Sequence, residues 1–344
     1  LRYARFSGGR WQPARQIARG DDWFVNWADT PHLAASADGA LWAQWLRRSA
    51  GNPHAYDVQL ARSADGRQWS APVTVHDDGT ATEHGFVSLW PEGTDGMGVA
   101  WLDGRHTAGS GHHGGGAMTL RSARFDAGLR RYDEQELDAT TCDCCQTGAS
   151  AAGNGTLLVY RGRDASEIRD IHLRRRSAGG WQPAVRVHAD NWIMPACPVN
   201  GPAVTARGDD AWVAWYTAPQ GEPLLRIAHS GDGGATFGAP REPDRGIEVQ
   251  GRVQLAADAD GVWLAWLREN AHAQSLWLAR YTPTLDRELG RLRVATLQGR
   301  GRGTGFPRLL ADHGGARLVW TDVADGKPLL RGAVVSVLAA GGSP

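Results

Sequence analysis

The 344 residues carry 37 Lys+Arg against 37 Asp+Glu, so the chain is formally neutral and lacks the basic surplus that nucleic acid or an anionic membrane surface would select. Forty-five Gly, 17 Pro and 16 Trp, with no apolar run near the roughly 20 residues that cross a bilayer, exclude a helical bundle and a helical membrane span. They describe a turn-rich β protein with an aromatic core.

A short strand-like run ending in an aromatic recurs six times, at Trp45, Trp101, Tyr160, Trp215, Trp266 and Trp320. The copies stand 51 to 59 residues apart, a period that suits a four-stranded propeller blade and is too long for a leucine-rich or helical repeat. Each is preceded by a strand rich in small and apolar residues, at 30–36, 85–91, 147–153, 200–206, 251–257 and 305–311, as inner strands crowded around an axis require. Each is followed by an alternating strand with the period of two of a half-buried antiparallel sheet, and most units close with a fourth. The pattern predicts an all-β fold, a single six-bladed β-propeller over 1–344 with antiparallel four-stranded blades. Residues 3–18 resemble 172–187, the third and fourth strands of a unit, and are expected to close the ring on the sixth blade. Residues 328–337 claim the third-strand position there as well.

Two turns between third and fourth strands carry a recognisable pattern. Ser230 to Phe237 reads S-x-D-x-G-x-x-F, and Ser63 to Trp69 is a version one residue shorter; Ser177 to Trp181 and Ser7 to Trp11 are degenerate copies. With these Asp boxes the chain resembles the sialidase (neuraminidase) superfamily of six-bladed propellers, over essentially its whole length. The Asp and Ser of such a box bond backbone groups in a tight turn while the aromatic packs between sheets, so the box speaks for fold and not for substrate. The resemblance implies an arginine triad for a substrate carboxylate, a Tyr/Glu nucleophile pair and an acid/base Asp. The first arginine belongs in an R-I-P sequence at the first inner strand, where this chain reads Asp29-Thr30-Pro31-His32. Arg252 and Arg308 begin later inner strands and are candidates to bind an acidic sugar, against the alternative of inter-blade ion pairs.

Propeller topology brings the loops that enter the inner strands and those joining second to third strands to one face. These loops hold all four cysteines. Cys142, Cys144 and Cys145 occupy one incoming loop and Cys197 the next, so neighbouring blades would gather them. Two readings stand open: two structural disulfides, or thiolates that bind a soft ion such as copper or zinc, or act in redox chemistry, with His106, His112 or His113 as further ligands. Acidic and basic groups converge there too. Asp29, Asp103, Arg161 and Glu167 are candidate catalytic groups and Arg105 a candidate ligand-binding one, with inter-blade salt bridging as the alternative. Tyr160 offers a phenol in the substrate site or a core aromatic.

Three functions follow. The first is an exported propeller with a Cys-rich metal (copper or zinc) or redox site at its mouth; the second is an exo-acting glycoside hydrolase on an acidic sugar, with Asp29 or Asp103 as acid/base. The third is a noncatalytic carbohydrate- or protein-binding propeller. The start at Leu1 suggests a removed export signal and a periplasmic or secreted protein. The expected partner is a small molecule, metal or glycan at the mouth, with no nucleic acid, and the chain is expected to be a monomer.

Overall fold

The computed structural model describes every residue except 50, 108–115, 154, 313 and 338–344. The chain is an all-β six-bladed β-propeller, and its only helical pieces among the described residues are short 3-10 turns such as Arg105–Thr107. By internal contacts it divides into two compact units, Leu1–Asp143 and Cys144–Pro344.

The first unit opens with four two-residue strands, β1 (Arg2–Tyr3), β2 (Phe6–Ser7), β3 (Arg10–Trp11) and β4 (Arg15–Gln16), in which β1 pairs β4 and β2 pairs β3. Two antiparallel four-stranded sheets follow: β5 (His32–Ala35), β6 (Leu41–Arg48), β7 (Tyr56–Ser63) and β8 (Val73–Thr74), then β9 (His84–Glu92), β10 (Gly96–Asp103), β11 (Thr119–Phe125) and β12 (Arg131–Asp138). Their facing sides share a core of Trp42, Val58, Leu60, Val99, Trp101 and Phe125. On the other side of the first sheet, Leu1, Ile17, Ala18, Trp23 and Trp69 pack on Ala43, Trp45 and Ala61. The N-terminal segment thus covers β6 and β7 with its apolar residues, and Tyr3 donates a 2.5 Å hydrogen bond to the carbonyl of Gly66.

The second unit holds four sheets. They are β13 (Gly148–Ala152), β14 (Gly155–Arg161), β15 (Ile171–Ser177), β16 (Gly180–Trp181) and β17 (Val185–Arg186); β18 (Ala203–Arg207), β19 (Asp210–Thr217), β20 (Leu224–Ser230) and β21 (Arg241–Arg245); β22 (Val249–Ala257), β23 (Val262–Glu269), β24 (Gln274–Tyr281) and β25 (Glu288–Leu297); and β26 (Arg308–Asp312), β27 (Gly315–Ala324) and β28 (Lys327–Ser336). Consecutive sheets bury shared apolar layers. The last sheet has three strands among the described residues, and the C-terminal segment supplies its third.

All six repeat aromatics lie on the second strand of their sheet and all are buried. A buried indole N–H needs an acceptor, and several find a carboxylate: Trp101 donates to Asp103 at 2.7 Å, Trp215 to Asp190 at 2.6 Å and Trp266 to Asp244 at 2.7 Å. The turn at 230–237 forms as its sequence dictates. Ser230 Oγ bonds Asp232 at 2.7 Å, Asp232 accepts the amides of Ala235 and Thr236 at 2.9 Å each, and Gly234 takes φ +83°, a left-handed value that side chains resist. Phe237 then packs against the layer between the third and fourth sheets.

Candidate functional site

In the first unit the loops at one end of the two sheets, before β5 and β9 and between β6 and β7, bring several ionisable side chains together. Asn26 shapes the first of them: its Oδ1 accepts the amides of Ala28 at 2.8 Å and Asp29 at 3.3 Å, a local turn that directs Asp29 inward. Asp29 is 3% exposed, and its Oδ2 accepts the Phe86 amide at 2.8 Å. Gly85 makes this approach possible, because a Cβ there would lie 2.0 Å from Asp29 Oδ2 and 3.1 Å from the Tyr56 ring. Burial pushes the Asp29 carboxyl up to about 7; the Phe86 amide opposes the rise and the Glu83 charge adds to it. Tyr56, stacked on Phe24 with ring centroids 3.9 Å apart, is raised well above an ordinary phenol by burial and by the charges of Asp29 and Glu83. Glu83 forms an isolated bridge with Tyr56 through the backbone, and its carboxylate lies 2.8 Å from His54 Nδ1.

A second group adjoins it on the same loops. His76 and His84 stack with centroids 3.6 Å apart, and Asp78 Oδ2 lies 2.8 Å from His76 Nδ1 and 3.1 Å from His84 Nε2. Asp57 Oδ1 lies 3.7 Å from His76 Nε2 and 3.9 Å from His84 Nδ1. Burial and the neighbouring His84 lower the His76 imidazole. Burial also works against a charged His84, but Asp78, Asp103 and Asp57 together raise it. Asp103 is fully buried and is held by Arg105 through bonds of 2.7 and 2.8 Å and by the Trp101 indole. Burial alone would raise its carboxyl, yet these donors keep it below the ordinary carboxylate value. Asp103 is therefore an ionised partner of Arg105, whereas Asp29 is the carboxyl poised to carry a proton near neutrality.

The candidates of the second unit are differently placed. Arg161 is buried, and its guanidinium donates to the carbonyls of Asn200 at 2.9 Å, Arg169 at 2.6 Å and Tyr216 at 2.6 Å, with Trp192 against its face. Burial lowers it to about 10. Its donors hold backbone together. Glu167 accepts from Arg163 at 2.7 Å and Arg169 at 2.9 Å, and Arg163 above all holds it ionised, against the slight pull of burial. Arg252 is buried and bonds Thr304 Oγ1 at 3.0 Å and the Gly305 carbonyl at 2.9 Å; burial lowers it to about 10 as well. Arg308 keeps a solvent-accessible surface while sitting deep enough among protein atoms for desolvation to lower it. Tyr160 is a core aromatic, edge-on to His172 at 5.7 Å.

All four cysteines are oxidised. Cys144 pairs with Cys197 at a Cα separation of 6.0 Å, and Cys142 and Cys145 are disulfide-bonded too. In this oxidised state the cysteines offer no thiolate to a soft cation. His106 is exposed and lies 3.8 Å from Glu136, while His112 and His113 fall outside the described residues.

Tyr56, Asp57, His76, Asp78 and Glu83 were not singled out from the sequence. The available signal was His76 and His84 eight residues apart in one incoming loop, with Asp78 between them.

No protein-family model matches the chain, and no curated protein does. Solved structures do. A protein of unknown function from Dyadobacter fermentans aligns with a TM-score of 0.58 at 14% identity, over 94% of this chain and 98% of that one. The α-L-arabinanase of Penicillium chrysogenum, complexed with arabinobiose, aligns with a TM-score of 0.56 at 12% identity, over 92% and 95%. The Trypanosoma rangeli sialidase, bound to 2,3-difluorosialic acid as a covalent intermediate, aligns with a TM-score of 0.56 at 10% identity, over 89% of this chain and 53% of that chain. The fold is that of a sialidase-like six-bladed propeller, shared by glycosidases of different specificity.

Proposed function

We propose that the chain is an exported glycoside hydrolase in which Asp29 is the acid/base. The observation that carries this reading is the buried Asp29 carboxyl, pushed up to about 7 beside Tyr56 and Glu83. A carboxyl with such a value is protonated often enough at neutral pH to donate to a departing sugar oxygen, and basic enough afterwards to take a proton from the water that completes hydrolysis. Glu83 tunes it by charge. The propeller architecture of the arabinanase and the sialidase supports a saccharide as substrate. The backbone carbonyls that engage Arg161 and Arg252 favour a sugar selected without a three-arginine carboxylate clamp. The disulfides support an oxidising compartment.

The test is a panel of chromogenic glycosides, pentosides and sialosides included, assayed with the wild type and with Asp29→Asn. Turnover of at least one member is expected, with kcat/KM falling about 10²- to 10⁴-fold in the variant. Turnover by Asp29→Asn at the wild-type rate would remove Asp29 from the chemistry, and no turnover of any member would leave binding without catalysis as the better reading.

A further inference from the structure

We propose that Asp57, His76 and His84 form a binding site for one divalent transition-metal ion, with zinc as the best-fitting probe, and that Asp78 orients both imidazoles. An ionised carboxylate only accepts, so Asp78 Oδ2, hydrogen-bonded to His76 Nδ1 at 2.8 Å, favours a proton on that nitrogen, and the same oxygen lies 3.1 Å from His84 Nε2. His76 then keeps its lone pair on Nε2, and the neutral tautomer of His84 protonated on Nε2 presents one on Nδ1. Both atoms are buried and have no hydrogen-bond partner, and both face the same oxygen, Asp57 Oδ1, at 3.7 and 3.9 Å.

A buried polar atom without a partner costs about 1–3 kcal/mol. The separations are too long for hydrogen bonds. Shared coordination with bonds of about 2.1 Å at tetrahedral angles places ligand atoms roughly 3.4 Å apart, so Asp57 Oδ1 closes on the two nitrogens by a few tenths of an ångström while the imidazole rings turn out of their 3.6 Å stack to aim both lone pairs at the ion. One ligand atom from each of the three residues lies within 4.8 Å of the others.

Charge and chemistry agree with this. Arg105 lies 3.7 Å from Asp78 and 2.7 Å from Asp103 and also pairs with Glu134, so among the described residues the carboxylates around the imidazoles outnumber the guanidinium that faces them. Two imidazoles and a carboxylate are borderline donors that suit zinc better than calcium or magnesium, and a carboxylate behind each imidazole is the usual support of a histidine ligand. The rings stack with planes 13° apart, an arrangement that disfavours two imidazolium charges. Asp57 stands at the start of β7, His76 just after β8 and His84 at the start of β9, so the ion would fasten the first sheet to the second within the first unit.

The full chain, stripped with a chelator and kept oxidised so that no thiolate competes, is titrated with zinc and followed by calorimetry and native mass spectrometry. One zinc per chain is expected. Asp57→Asn and His76→Gln should each weaken binding at least 100-fold, and Asp78→Asn, which removes only the orienting carboxylate, about 10- to 100-fold. Because these variants risk misfolding, cobalt(II) is added to the wild type in parallel. Visible d–d bands without sulfur charge transfer are expected. No zinc uptake at micromolar concentration, unchanged affinity in folded Asp57→Asn and His76→Gln, or a thiolate-type cobalt spectrum would each overturn the proposal. None of these readouts depends on glycoside turnover.

Discussion

Arg161 in the second unit and Asp29 with the His76–His84 pair in the first are buried polar groups satisfied to different degrees. In the second unit Arg161 gives its donors to three backbone carbonyls, and Glu167 lies between Arg163 and Arg169. In the first unit Asp29 is buried with its ionisation pushed towards neutrality, and the His76 and His84 rings keep nitrogen atoms without partners. A satisfied buried charge is architecture. An unsatisfied one is maintained against a free-energy cost and marks the place where a proton, ion or substrate is expected.

Removing the architectural charge should produce the largest effect. Arg161→Ala leaves three carbonyls in a dry environment without their donor, and a loss of about 3–5 kcal/mol in unfolding free energy is expected in urea titrations. A loss below about 1 kcal/mol would show that water replaces the guanidinium and that the two clusters are more alike than drawn.

The next effect sharpens the contrast through pH. The Asp29 carboxyl rises from an ordinary 3.8 to about 7 on folding, so the folded state holds a proton that the unfolded state has released. Its contribution to stability is full below about pH 4 and is lost as the pH climbs through about 7, a swing of up to about 4 kcal/mol. Unfolding of Asp29→Asn measured at pH 5 and pH 7.5 should lack this component. Glu83→Gln should reduce it, since the Glu83 charge contributes to the rise.

The smallest effect is expected in the exposed turn after β20. Asp232 accepts two backbone amides in an exposed turn, where solvent competes, so Asp232→Ala should cost about 1 kcal/mol in thermal or urea unfolding and leave any activity unchanged.

The fold was legible because its signals are local. Trp45, Trp101, Tyr160, Trp215, Trp266 and Trp320 repeat at one period, each on a buried second strand, and the Ser230–Asp232 turn closes through contacts within a few residues. The site was less legible because its signals are differences in environment. Asp29 and Asp103 look equivalent in the sequence, yet Arg105, two residues from Asp103, ionises one, and burial beside Gly85 protonates the other. Arg161 reads as an anion-binding group until its three carbonyl partners are seen. The cysteine spacing told of proximity but not of oxidation state, which Cys144 and Cys197 settle by bonding each other. Asp57 and His76 carry no spacing rule, because they come together through the antiparallel pairing of β7 with β8.

A proton held by Asp29 near neutral pH is tested most directly by NMR titration of the protein with carboxyl-labelled aspartate, with Asp29→Asn used to assign the signal. A midpoint close to 7 for Asp29, well apart from Asp103, is the predicted result. A midpoint near 3.8, like an ordinary aspartate, would contradict the account and remove the acid/base from the proposed site.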